Sequence, residues 1–214
     1  MVYNNNLVID KFKQWRERGF YPDKIYDIGA NIGKWTDFMK EIFPMSEYYL
    51  FEANEDNLNH SASSHYLNVL LGSEDNKEID FYISNTVGNT GASVYKELTS
   101  HYDNCTVRKK LTRTLDNYIE ELNIDYPDFI KIDTQGSELD ILNGGKKCLE
   151  HAKMVLLEVS LHQYNKGAPL FAEVINYMDT HNYEVIDIID NTNINNYLYQ
   201  VDILFAKKGS GYRL

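Results

Sequence analysis

The sequence predicts an α/β fold, a mostly parallel sheet covered by helices on both faces, and three observations carry that expectation. Short apolar runs alternate with helical stretches: KIYDIG, YYLFE, FIKID and MVLLEV are each followed by a segment of helical character. The last two apolar runs, YEVIDII and QVDILFAKK, have no helix between them and so pair as a hairpin, which puts one antiparallel strand in the sheet. A chain of 214 residues with 43% hydrophobic content can bury one substantial core and is too short for two enzyme-sized domains.

The elements follow in order. Residues 1–22 form a leading helix and lead-in, and residues 23–214 a single domain. Val8, Ile9, Phe12 and Trp15 recur at helical spacing and Gly19 supplies a stop; Phe12 and Trp15 either cover the sheet or meet another subunit. KIYDIG precedes a helix from Lys34 to Ile42, and YYLFE a weaker helix after Asn54. Between Asn68 and Thr114 the alternation fails. There IDFYIS and CTVRKKLT read as strands flanking the Gly-rich NTVGNTGAS, an insertion at the sheet edge near residues 84–105 with a mobile loop. FIKID leads to a helix near Ser137 to Leu142, MVLLEV to one from Pro169 to Thr180, and the polar stretch Asp190 to Tyr199 joins the final hairpin.

Composition excludes several classes. With 21 basic and 32 acidic residues the formal charge is -11, which opposes a polyanionic partner such as nucleic acid. The densest basic run, Arg108, Lys109, Lys110 and Arg113, reads as a solvated strand face. Cys105 and Cys148 lie far apart without CxxC spacing, so neither a disulfide framework nor a zinc site is expected, and a reducing, cytoplasmic setting fits. Asp10, Lys11 and Lys13 interrupt the N-terminal region, and no apolar run reaches the roughly 18 residues that span a bilayer. Neither export nor membrane insertion by a signal of its own is expected.

The strand ending in Asp27 runs through DIGANIG directly into a helix, which lets backbone approach a ligand at the carboxyl edge of a parallel sheet. A dinucleotide pyrophosphate calls for GxGxxG. Here those three places hold Gly29, Asn31 and Lys34, so two of the three fail. S-adenosylmethionine has no phosphate and a zwitterionic amino-acid end, which Asp27 and Asn31 can engage while Gly29, Ala30 and Gly33 bring the backbone close. Glu52 ends the second strand at about the 20-residue separation at which a carboxylate receives a ribose diol. Phe51, Ala53 and Asn54 would then line the adenosine, and Leu71, Gly72 and Ser73, at the end of the third strand, would border the adenine.

Three segments together resemble the FkbM family of S-adenosylmethionine-dependent methyltransferases: GFYPDKIYDIGANIGKWTDFMKEIFP with YLFEANEDN; FIKIDTQGSELDILNGG after TLDN; and LLEVSLHQYNKGAPLFAEVINYM, ending in QVDILFAKK. The resemblance runs from about Gly19 to Lys207. It implies a Rossmann-like class I methyltransferase fold, a seven-stranded sheet whose last strand is antiparallel, and O-methylation of a small molecule or glycan more often than other chemistry. Many members carry Glu where this chain has Gln135, so no catalytic carboxylate is placed there; Glu138 survives three residues on.

Methyl transfer to an alcohol is helped by a base that takes the hydroxyl proton as the methyl arrives. Three candidates stand at strand ends facing one crevice: Asp133 after FIKI, and Glu158 and His162 after MVLL. Asp133 holds substrate or the methionine moiety, or else caps the Ser137 helix. Glu158, between Leu157 and Val159, is either a functional carboxylate or half of a buried ion pair. His162 has a suitable intrinsic pKa but lies in a loop, with Tyr164 and Lys166, that solvent can reach. Asp116 reads as a helix cap. Asp133 and Glu158 would give a metal only two ligands, so no metal is assigned. Two other readings stay open: a nicotinamide-dependent oxidoreductase on the same sheet, and a non-catalytic cofactor-binding subunit of a glycan-synthesis complex.

Overall fold

The computed structural model describes residues 5–57, 65–85, 91–98 and 104–212. The chain enters through α1 (Asn5–Glu17), forms β1 (Lys24–Ile28), returns along α2 (Lys34–Ile42) and forms β2 (Glu47–Glu52) and then β3 (His65–Asn68). A second, three-stranded sheet follows, made of β4 (Leu70–Leu71), β5 (Glu78–Ile83) and β6 (Thr106–Arg113). Then come α3 (Leu115–Glu121), β7 (Phe129–Ile132), α4 (Glu138–Gly144), α5 (Lys146–His151), β8 (Met154–Ser160), α6 (Phe171–Thr180), β9 (Tyr183–Ile194) and β10 (Tyr197–Lys207).

The main sheet has the order β3-β2-β1-β7-β8-β10-β9, with β10 antiparallel to both of its neighbours. The chain builds outward from β1 through β2 to β3, then crosses back to lay β7 on the other side of β1. That reversal opens a crevice at the carboxyl ends of β1 and β7, where open α/β sheets bind ligands.

Strand side chains alternate between two cores. Tyr26, Ile28, Ile130, Ile132, Val155 and Leu157 pack beneath Leu115, Ile141, Cys148, Val174 and Met178 of α3 to α6. On the other face Ile25, Leu50, Phe129, Leu156 and Leu204 meet α1 and α2 through Phe12, Trp15, Trp35 and Met39. The ring of Phe129 lies 5.7 Å from Phe12 and 5.9 Å from Trp35. Phe12 and Trp15 therefore cover the sheet.

Two details depart from the sequence reading. The apolar run after His65 is two strands: His65–Asn68 pairs with β2, and Leu70–Leu71 pairs with β6 in the second sheet. The polar stretch after Asp190 is strand through Ile194, closed by Asn195 and Asn196 with φ of 51° and 66°. Two left-handed residues form the tight turn whose twist matches a hairpin, and Asn tolerates that conformation. After Asn54 the described chain makes a 3-10 turn, Glu55–Asn57, and the rest of the helix expected there falls on residues 58–64, outside the described residues. The loop expected around NTVGNTGAS falls largely on residues 86–90, outside the described residues.

The basic run is a solvated face paired to acids. Arg108 bonds Glu55 and Asp56 at 2.7 Å each, Lys109 bonds Asp80 at 2.8 Å, Lys110 bonds Glu55, and Arg113 bonds Asp75 and Glu121. Among the described residues no helix is long and apolar enough to cross a membrane.

Candidate active site

One face of the sheet turns polar at its carboxyl edge. On the α1 and α2 side, Leu50, Ile25, Phe129, Leu156 and Leu204 are apolar. Two residues further toward that edge on the same strands stand Glu52, Asp27, Lys131, Glu158 and Asp202, all buried. Asp133 follows Lys131 at the end of β7. The row thus crosses β2, β1, β7, β8 and β10, with Asp202 directly opposite Glu158 in the antiparallel register.

The loop after β1 arches over β7. Gly29 has φ of 76°, and a Cβ there would stand 1.9 Å from the carbonyl oxygen of Asp133, so only glycine lets the loop pass. Gly29 and Ala30 donate their N–H groups to the carbonyl of Phe51 at 2.9 and 3.2 Å. Asn31, also left-handed, donates its N–H to Glu52 Oε2 at 2.7 Å, and Asn54 donates to Glu52 Oε1 at 2.7 Å. Each Glu52 oxygen keeps a lone pair. Burial raises the Glu52 pKa, opposed by these amides and by Lys131. The Tyr66 hydroxyl closes the loop by donating to the Asn31 carbonyl.

Asp27 is wholly buried. Its Oδ2 accepts from Thr36 Oγ1 at 2.8 Å, and its Oδ1 lies 3.0 Å from Lys131 Nζ, an ion pair that satisfies an atom otherwise lacking a hydrogen bond. Lys131 Nζ also lies 3.5 Å from Asp133 Oδ2. Burial alone would lower the Lys131 pKa; Asp27 and Asp133 outweigh it and hold the ammonium charged.

The TQG turn after β7 gathers the rest. Gln135, left-handed at φ 58°, donates its Nε2 to Asp133 Oδ1 at 3.2 Å and to Glu158 Oε2, while its Oε1 accepts from the Tyr164 hydroxyl at 2.8 Å. Its carbonyl accepts from Ser93 Oγ at 2.9 Å and Asn165 Nδ2 at 2.6 Å. Gln200 Nε2 donates to the Tyr164 hydroxyl. Glu138 staples the turn, its Oε1 accepting from Thr134 N at 3.0 Å and Gly136 N at 3.1 Å. Glu158 is only 6% exposed, and among the described residues its Oε1 has no hydrogen-bond partner. Burial first, then Asp133 and Asp202, push its pKa well above the carboxylate range.

A rim crosses this turn. Leu98 N donates to the carbonyl of Tyr164 at 2.7 Å, and Lys166 N to that of Lys96 at 3.0 Å, tying the edge insertion to the loop after β8.

The structure brings Gly29, Asn31, Gly33, Glu52 and Asn54 together at one loop, and Asp133 and Glu158 at one turn. Ala30 is buried beneath the loop. Phe51 is corrected: its ring belongs to the opposite core, 5.0 Å from Tyr26, and only its carbonyl serves the loop. Ala53 packs on the small cluster of Leu70, Phe81 and Ile83. Leu71 is corrected as well, a core residue on β4, because the strand that was expected to carry it ends at Asn68. Gly72 and Ser73 line a cleft of about 360 Å³ with Lys77, Tyr95, Ser137 and Asp140. His162 is exposed and rests 5.2 Å from the ring of Tyr199.

Asp116 caps α5, accepting from Lys147 N at 2.9 Å and Cys148 N at 3.1 Å. Sequence reasoning missed Lys131 and Asp202. Both carry a signal it could have used: a charged residue inside an apolar strand, in phase with the buried residues two places away.

An open sheet in this order, with its binding crevice beside β1 and β7, is the class I methyltransferase fold. It is similar to methyltransferase FkbM from Methylobacillus flagellatus KT, with TM-score 0.53 and 16% identity over 85% of this chain, which spans only 43% of that one. It is also similar to precorrin-6y C5,15-methyltransferase from Geobacter metallireducens GS-15, with TM-score 0.53 and 12% identity over 96% of this chain and 87% of that one. The model of the methyltransferase FkbM domain matches residues 27–185, and the chain belongs to that family. The 2-O-methyltransferase NoeI of Sinorhizobium fredii is 27% identical, over 68% of this chain and 67% of its own length.

Proposed function

We propose that the chain methylates a hydroxyl of a sugar, glycan precursor or related metabolite, with S-adenosylmethionine as the methyl donor. The observation that carries this reading is Glu158: a buried carboxyl with one oxygen held by Gln135 and the other without a partner, beside Asp133 at the crevice. Such a group is suited to take a proton from a bound hydroxyl. NoeI, an O-methyltransferase, supports the same chemistry.

The residues present fit the donor. Among the described residues the buried Nδ2 atoms of Asn54 and Asn57 have no hydrogen-bond partner, and Asn54 adjoins Glu52, whose oxygens each keep a lone pair. Glu52 would take the ribose hydroxyls, the Gly29 to Gly33 backbone would lie along the amino-acid end, and Asp133 would face its ammonium. Asp27 contributes through Lys131 and Thr36, fixing the strand end from below. When bound, the sulfonium supplies a methyl group and leaves as a thioether. The chain's own part is to align the acceptor, exclude water and receive a proton at Glu158.

Titration calorimetry with S-adenosylhomocysteine and with NAD, followed by mass spectrometry of a panel of glycosides incubated with S-adenosylmethionine, tests the reading. Saturable binding of the homocysteine and a mass gain of one methyl group on a hydroxyl are expected. Absence of binding at millimolar concentration, or preference for NAD, would sink it.

A further inference from the structure

Asp202 is the β10 member of the buried polar row. It sits on β10 directly opposite Glu158 on β8 and directly opposite Asp190 on β9, the middle of three carboxyls in register. Opposed residues in an antiparallel pair hold their Cβ atoms about 5 Å apart, and like charges so placed repel. Asp202 is 8% exposed and Glu158 6%, so water does little to relieve them. The groups facing the pair are Lys131 and Asp133 from β7, Glu138 from α4, Asp190 from β9 and Tyr164 from the loop after β8. The nearby cation, Lys131, is already bound to Asp27 and Asp133.

A second observation is independent of this crowding. Glu158 Oε1 is buried and lacks a hydrogen-bond partner, while Oε2 is held by Gln135. An amide donor favours the charge on Glu158.

We propose that Asp202 is the proton-sharing partner of Glu158: the two buried carboxyls hold a single proton between them, which leaves one carboxylate in the pair to receive the acceptor's hydroxyl proton through Glu158. This rests on the methyl-transfer reading for its purpose, but not for its existence. In the reaction the acceptor O–H bond breaks and its proton joins Glu158. The oxygen pair forms the bond to the methyl carbon, the carbon–sulfur pair returns to sulfur, and the pair then releases one proton to solvent. Asp202 acts through Glu158 and is a positioning residue. Its elevated pKa, about 8, is set first by burial and then by Asp133, and agrees with this role.

The test is a carboxyl-carbon NMR titration of the full chain labelled at Asp and Glu, with S-adenosylhomocysteine as the only added ligand. One carboxyl of the pair is expected to titrate near or above neutrality. Asp202→Asn should abolish the upper titration step of the pair and leave Glu158 titrating about one pH unit or more below it, since the second carboxyl has gone. Should that variant fail to fold, Glu158→Gln must lower the Asp202 midpoint instead. The proposal is overturned if both wild-type carboxyls titrate in the ordinary acidic range, or if neither substitution moves its partner. Normal titration with intact homocysteine binding sinks the pair alone; shifted titration without binding sinks the methyl-transfer reading alone.

Discussion

Lys131 Nζ lies 3.0 Å from Asp27 Oδ1, with both side chains sealed from solvent beneath the loop that follows β1. The pair joins β1 to β7 at the sheet's switch point, since the two residues are also register partners. Removing one member of a buried pair costs about 3–5 kcal/mol, because the survivor is left charged and unpaired. Lys131→Met should destabilise the protein by that amount in urea unfolding. Adding Asp27→Asn should recover part of the loss, though Asp133 stays without its cation; no recovery would mean that the pair is not what Lys131 supplies.

At Gly29 both the backbone and the space forbid a side chain. With φ of 76° and the Asp133 carbonyl 1.9 Å from any Cβ, Gly29→Ala must push the loop off β7. A loss of at least about 2 kcal/mol is expected from strain and displacement together. Thermal unfolding measures it, and homocysteine binding should fall in parallel.

Glu52 holds two loop amides at 2.7 Å each. Glu52→Gln keeps the shape but loses the charge, and one amide oxygen cannot serve both N–H groups. Hydrogen bonds to a charged group contribute about 1.5–3 kcal/mol, so homocysteine affinity should fall about tenfold to a hundredfold. Calorimetry showing unchanged affinity would remove Glu52 from the ribose site.

Stability should decline from mildly acidic to mildly alkaline pH. Burial first, then Asp133, raises Asp202 from the ordinary carboxylate value of 3.8 to about 8, so between these the folded chain binds more protons than the unfolded one. Stability therefore falls as pH rises through that window. Asp202→Asn should flatten the slope. Asp75 acts with the opposite sign: the Thr114 amide and its other donors lower it to about 2, so its contribution is present above 3.8 and is lost as pH falls toward 2. Melting temperature against pH for wild type and variant checks both limbs.

Where the chain alternates strand with helix, its periodicity was enough: β1, β2, β7, β8 and their helices stand close to where the apolar runs put them. The end of β3 was not legible, because HYLNVLL reads as one apolar run while the chain changes sheets between Asn68 and Leu70. Glu52 and Phe51 show the other limit. Neighbours on a strand face opposite sides, so both could not line one ligand, and alternation alone would have excluded Phe51. Asp202 needed more: its meaning comes from the register that sets it against Glu158, which no local pattern contains.

The rim that ties Lys96 and Leu98 to Tyr164 and Lys166 joins segments distant in sequence. Contacts of this kind form only after a long loop has closed, whereas the pairing of β1 with β2 needs a much shorter one. The rim should therefore close after β1 has paired with β2. The amides of Leu98 and Lys166 should exchange hydrogen faster than those inside β7 and β8. The crevice at β1 and β7 then stays intact while, for part of the time, the rim beside the TQG turn stands open.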